Sequence, residues 1–422
     1  MQRIKLGEVC DISSSKRIFE KEYVPKGIPF IRGLEISNGA ISKEEYNFDC
    51  YISHDRYEEL KRTSGVPSRN DILITAVGTI GNLYLVDNDK PFYFKDGNIL
   101  WFHNYKDCVD PLYLKYYMQS PFFDKQLERA MIGAVQKALT IVMLNNIVID
   151  LPDIRYQNEV ARILGAIDSK ITVNNKIIET SEKLMREIYD YWFVQFDFSD
   201  ENGRPYKSSG GEMVYDETFK REIPKGWKVQ NLLKNDLCKD IKPGIEKFDD
   251  TKTYYATADV IDGEMGVGAQ INYNNRESRA NMQPKPNSVW FAKMKNSIKH
   301  ITVMPTSSDL LEKSVFSTGF FGLKCESETL PYIRNFIYSD YFEKVKDLNS
   351  NGATMEAISN DGVRNVKLLI PDSATLKKYS DVTSVCLSQN DTLRKENAKL
   401  ISLHDWLLPM LMNGQAKIAG DS

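Results

Sequence analysis

The sequence predicts an α+β protein built twice, as two tandem domains of mixed strand and helix, each followed by one long helix. Three observations predict it. An ungapped internal match at an offset of 219 pairs Tyr113–Asp153 with Tyr332–Asp372. Apolar strand-like runs separated by turn residues fill the rest of each half. Beyond each copy, apolar residues recur in alternating steps of four and three.

The repeat runs position by position. Tyr113-Leu114-Lys115 faces Tyr332-Ile333-Arg334, Ser120 to Lys125 faces Ser339 to Lys344, and Leu151-Pro152-Asp153 faces Ile370-Pro371-Asp372. The first two pairs read as helix with a buried aromatic face. Strand-like runs lie at Asp71–Val77, Leu83–Val86, Ser288–Ala292 and Phe320–Lys324, so each domain is expected to hold more strand than helix. Asn38-Gly39 and Asp262-Gly263 supply the positive φ of hairpin turns. Asp110-Pro111-Leu112-Tyr113 reads as a helix start, and Gly266-Val267-Gly268 as a loop.

The first heptad seam takes Leu164, Ile167, Ile171, Ile178, Met185, Ile188 and Trp192; the second takes Val382, Leu393, Leu400, Leu403 and Leu407. From Val160 to Trp192 a helix spans about 50 Å at ~1.5 Å per residue. Asp197 to Lys220 is rich in Gly, Ser and acidic residues and reads as a polar linker. If the second helix returns alongside the first, the pair is an antiparallel coiled coil with pseudo-twofold symmetry. The expected parts are domains at 1–152 and 223–371, helices at 153–196 and 372–414, a linker at 197–222 and a tail at 415–422. An ordinary amphipathic helix lying on its own domain is the alternative for each helix, favoured by polar Asn174, Ser181, Gln389 and Glu396 in the seams.

Composition narrows the function. The chain has 422 residues and a net charge of −3, which argues against bulk electrostatic coating of DNA and leaves room for local basic patches. No apolar run reaches the length of a membrane span and Met1–Glu8 lacks a secretory pattern, so a cytoplasmic location is expected. The six cysteines and four histidines are scattered without ligand spacing, so no metal is expected. Phosphate-loop, metalloprotease and nucleophile-elbow motifs are absent, and the chain is not expected to be an enzyme or to bind a cofactor.

What remains are basic and polar clusters beside turns. In the first half these are Lys16, Arg17, Lys61, Arg62, Thr79, Asn82, Gln136 and Lys137; in the second, Asn275, Arg276, Lys293, Lys295, Asn296 and Lys299. Lys and Arg suit phosphates, while Asn, Gln and Arg can form paired hydrogen bonds with base edges. An ordinary solvated surface explains such residues equally well at many positions.

Tyr189-Asp190-Tyr191-Trp192-Phe193-Val194-Gln195-Phe196 closes the first helix, and His404-Asp405-Trp406-Leu407-Leu408-Pro409-Met410-Leu411-Met412-Asn413-Gly414-Gln415 closes the second. With Ile223-Pro224-Lys225-Gly226-Trp227 opening the second half and Gly78-Thr79-Ile80-Gly81 in the first, these segments resemble the specificity subunit (HsdS) of type I restriction-modification enzymes. The sequence departs where Met294-Lys295-Asn296-Ser297 replaces a Gly-x-x-Gly turn. The resemblance implies two target-recognition domains reading a bipartite double-stranded DNA target. It also implies that the helices are spacers that dock two modification subunits, with restriction subunits completing a host-defence enzyme. S-adenosylmethionine, ATP and Mg would then sit on those partners. A coiled-coil scaffold with two protein-binding heads and a stand-alone DNA methyltransferase are the alternatives; binding of S-adenosylmethionine by the chain alone would favour the latter.

Overall fold

The computed structural model describes residues 2–39, 41, 48–131, 138–261, 263–352 and 356–416. They divide into two compact units, residues 1–172 with 398–422, and residues 173–397. Both long helices have residues in each unit.

In the first unit β1 (Gln2–Lys5) pairs antiparallel with β6 (Val148–Leu151), joining the start of the domain to its end. An antiparallel sheet has the order β2 (Asp11–Ser13), β5 (Ile99–His103), β3 (Ile72–Thr75) and β4 (Leu83–Leu85). β3 is buried along its whole length because both faces are covered. Strand alternation sorts its side chains: Ile72 and Ile74 join Leu100 and Phe102 under the helices, while Leu73 joins Ile99 and Trp101 on the opposite side. The helical layer is α1 (Pro111–Met118), α2 (Pro121–Met131) and α3 (Ile141–Asn146). Asp110 caps α1 by accepting from the Tyr113 amide at 2.7 Å, with Pro111 in the first turn.

The second unit repeats this plan. β7 (Lys228–Asn231) pairs with β12 (Lys367–Ile370), and the sheet order is β8 (Cys238–Asp240), β11 (Phe320–Cys325), β9 (Ser288–Ala292), β10 (His300–Val303). The sorting recurs, with Val289, Phe291, Phe321 and Leu323 in one core and Trp290, Ala292 and Phe320 in the other. Helices α5 (Leu330–Ile337), α6 (Asp340–Leu348) and α7 (Asn360–Asn365) begin 219 residues after α1, α2 and α3. One exchange keeps the packing. Trp101 on β5 pairs with Leu73, whereas Gly322 on β11 pairs with Trp290, whose ring occupies the space a Cβ on Gly322 would need.

α4 (Ile154–Tyr189) continues into a π-helical turn, Asp190–Val194, and α8 (Ser373–Met412) carries Pro409 in its last turn. In the second unit Asn174 donates to Asn397 (2.9 Å) and Glu396 (2.8 Å), and Asn390 donates to Glu182 (3.1 Å). Residue numbers fall on one helix as they rise on the other, so the helices run antiparallel there. In the first unit Tyr156 donates to the Leu411 carbonyl at 2.9 Å, and Leu408, Leu411 and Met412 enter the domain core. Tyr189 and Phe193 do the same in the second unit. The two aromatic and apolar motifs are thus the ends by which each helix is built into a domain.

Leu164, Ile167, Ile178 and Met185 lie buried on α4, and Ile171, Ile188 and Trp192 lie half-buried beside them. The second seam needs correction by one residue. Val382 and Leu403 are 49% and 43% exposed, and Leu393, Leu400 and Leu407 only flank the buried stripe of Thr383, Leu387, Asn390, Asn397, Leu408 and Leu411. The heptad is present, but its inward positions are partly polar because Asn390 and Asn397 bond across to α4. Hydrophobicity alone therefore selects their neighbours.

Three other expectations change. Residues 197–222 are folded: Phe198 stacks on Tyr206 and on Trp227 with centroids 4.7 and 4.8 Å apart, and Met213–Asp216 pairs with Arg221–Pro224. Asn38-Gly39 does not turn a hairpin but ends the short helix Gly33–Ser37, its amides bonding back to Leu34 and Ile36. Gly263 does turn one, between Val260–Ile261 and Glu264–Met265. Among the described residues the second domain is strand-rich, whereas His54–Thr63 with α1, α2 and α3 makes helix at least equal to strand in the first. No helix among the described residues is long and apolar enough to cross a membrane.

Candidate nucleic-acid interface

Each domain has a seven-residue turn at the same place in its sheet, residues 76–82 between β3 and β4 and residues 293–299 between β9 and β10. Identical backbone bonds frame both. Thr75 N donates to Asn82 O and Ala76 N to Asn98 O; in the second copy Ala292 N donates to Lys299 O and Lys293 N to Gly319 O. The segment after the second helix then docks on each turn, Leu139 N donating to Ala76 O and Ile358 N to Lys293 O, both at 2.9 Å. Six of the fourteen sequence-selected contact residues fall here: Thr79, Asn82, Lys293, Lys295, Asn296 and Lys299.

The turns are built differently. In the first, Gly78 and Gly81 take φ of +80° and +93°, which side-chain-bearing residues rarely adopt. The Thr75 hydroxyl ties this turn internally, donating to Thr79 O (2.5 Å) and accepting from Asn82 N (3.0 Å). Thr79 is exposed, and Asn82 donates to the Ser37 hydroxyl at 2.8 Å. The second turn has no glycine, and Asn296 takes the left-handed conformation at φ +55°.

Charge concentrates on the second turn. Lys293 is half-buried, and burial together with the nearby Arg279 guanidinium holds its pKa below the ordinary lysine value. Lys299 donates to the Thr257 carbonyl at 2.6 Å, and Arg279 lies beside Gly319 next to the same residue. Among the described residues neither Lys293 nor Arg279 has a carboxylate partner, whereas Lys295 pairs with Glu356 at 2.7 Å. Two cations close together without a counter-charge suit a phosphate.

The other selected residues that lie among the described ones are not joined to these turns by their hydrogen bonds. The Lys16 amide donates to the Tyr93 hydroxyl, and Arg17 pairs with Asp96 at 3.0 Å. Lys61 and Arg62 are exposed on the last turn of the helix His54–Thr63. Asn275 accepts from the Asn272 amide, and Arg276 stacks on Tyr273, 4.1 Å from the ring centroid. Gln136 and Lys137 lie outside the described residues. Sequence reasoning missed Arg279 and three residues of α6 that hold the second turn, Glu343, Lys346 and Asp347. Lys346 was detectable, since it stands 219 residues after Leu127 on the buried face of the repeat.

A charged residue of the first helix after each sheet reaches the long helices. In the first unit Lys115 pairs with Asp168 (3.1 Å), which also accepts from the Tyr116 hydroxyl (2.7 Å). In the second, the corresponding Arg334 pairs with Glu182 and lies over the Tyr338 ring at 3.9 Å. Burial works against ionisation of Glu182, but Arg334 outweighs it and holds the carboxyl below its usual range.

Comparison with known proteins places this architecture. Residues 1–183 match the family model described as the type I restriction modification DNA specificity domain. The type I restriction enzyme MjaIX specificity subunit of Methanocaldococcus jannaschii is 23% identical over 99% of this chain and 93% of its own length. Along its whole length the chain is similar to a specificity subunit of a type I restriction enzyme. A putative specificity subunit of Haemophilus influenzae, S.HindORF215P, is 31% identical over 42% of each chain, so this match spans less than half of that relative. The crystal structure of the type I S subunit from M. genitalium shares the fold, with a TM-score of 0.56 over 97% of this chain and 95% of that one at 14% identity.

Proposed function

We propose that this specificity subunit reads a bipartite double-stranded DNA target, one part with each domain, through the turns at 76–82 and 293–299. The observation that carries the reading is the recurrence of one turn at one sheet position in both halves, bearing Thr79 and Asn82 in the first and Lys293, Asn296 and Lys299 in the second. Lys293 and Lys299, with Arg279, meet phosphates and set register; Asn82 and Asn296 can pair with base edges. The helix pair docks two modification subunits, which supply S-adenosylmethionine chemistry, and restriction subunits that use ATP and Mg join them. The subunit itself catalyses nothing.

Replacing residues 1–152 with the corresponding domain of another specificity subunit tests this. One half of the methylated motif should change and the other persist; a change in both halves would refute independent reading.

A further inference from the structure

Beneath the second turn Lys346 and His300 stand where the first domain has leucines, while Glu343 and Asp347 stand opposite Asp124 and Glu128, which are exposed. Lys346 on α6 is fully buried, donating to the Ser297 carbonyl (2.9 Å) and pairing with Glu343 (2.5 Å). Glu343 also lies 2.9 Å from His300 Nε2, at the start of β10. One residue on, Asp347 accepts from the Asn296 amide at 3.1 Å. A buried lysine is costly unless paired and hydrogen-bonded. The duplication supplies an internal control. Leu127 stands 219 residues before Lys346, and Leu83 occupies the sheet position of His300, so the fold does not require this network.

The two turns explain the difference. The first is tied by the Thr75 hydroxyl and by glycines that accept positive φ, and Leu127 packs below Gly81. In the second, Ala292 has no hydroxyl, Lys295 and Ile298 stand at the glycine positions, one residue later than the Met294–Ser297 placement expected from sequence, and Asn296 carries the left-handed conformation. The ties absent from the turn come from α6, which fixes Ser297 and Asn296 by their backbone.

We infer that Lys346, Glu343 and Asp347 are positioning residues for DNA specificity, holding the 293–299 turn so that Asn296 meets base edges in a single geometry. This inference rests on the reading of that turn as a DNA contact.

The test uses the full chain with its modification subunits, bound to a pool of random duplexes and sequenced for the selected motif. Lys346→Met keeps the size and removes the charge; Asp347→Ala breaks a surface tie and serves if the first variant does not fold. Both should lose at least tenfold discrimination in the half-site read by the second domain while the other half-site keeps its sequence preference. A merely structural loss would weaken binding to all duplexes alike, and that result overturns the inference. So does an unchanged motif in folded variants, provided Asn296→Ala and Lys293→Ala alter it. If those two contact variants also leave the motif unchanged, the turn does not contact DNA and the underlying reading falls with the inference.

Discussion

Replacing Glu182 with alanine should destabilise the second unit severely. Its carboxylate takes Arg334, Asn390 at 3.1 Å and Arg394 at 3.5 Å. Arg334 is 2% exposed, and among the described residues its guanidinium without Glu182 keeps Asn335 at 2.7 Å and the face of Tyr338. Removing one partner of a buried pair costs about 3–5 kcal/mol. For a unit of this size each kcal/mol moves Tm by about 2–4 °C, so scanning calorimetry should show a fall of about 6–20 °C. Replacing both partners, as Glu182→Leu with Arg334→Met, should recover most of that loss, because the penalty is an uncompensated charge. A fall below about 2 °C in the single variant, or a double variant as unstable as the sum of its parts, would mean that Glu182 does not compensate a buried Arg334 charge. The pH sign follows from the depressed carboxyl. Its contribution is complete above the unfolded value of about 4.3 and is lost as pH falls through the lower folded value, so Glu182→Gln should flatten the acid limb of Tm against pH.

The corrected helix register predicts that Leu408→Ala costs about 2–5 kcal/mol, whereas Leu403→Ala stays within about 0.5 kcal/mol; urea unfolding of the two variants decides. Gly322→Ala places a Cβ 2.6 Å from the fully buried Trp290 ring, and should cost about 1–3 kcal/mol or more in the same assay. Deleting one heptad from each helix, residues 174–180 with 396–402, should shorten the gap between half-sites in the methylated motif, since the Asn174–Asn397 pair leaves with it.

The duplication was legible because the match at an offset of 219 falls on helices whose starts are set by local capping chemistry: Thr140 and Ser359 cap equivalent helices, each hydroxyl accepting from the backbone amide three residues on. The central strands were legible because burial on both faces makes them continuous apolar runs. The register of α8 was not, because polar residues satisfied across the helix pair look like outward positions until the partner is known. The 197–222 segment was misread from its polar composition, since its fold depends on Phe198 meeting Trp227 from further along the chain. At the interface, residue type located the turns but not their supports. Lys346 reads as a surface lysine until α6 packs beneath the turn.

Reading of two separated parts of one DNA target by two domains of one subunit leaves a record in the methylated genome. Co-expression with a type I modification subunit, followed by single-molecule sequencing of host DNA, is the direct test. Methylated adenines should fall within a split motif of fixed gap. A continuous motif, or no motif from a stable complex, would contradict reading by two domains.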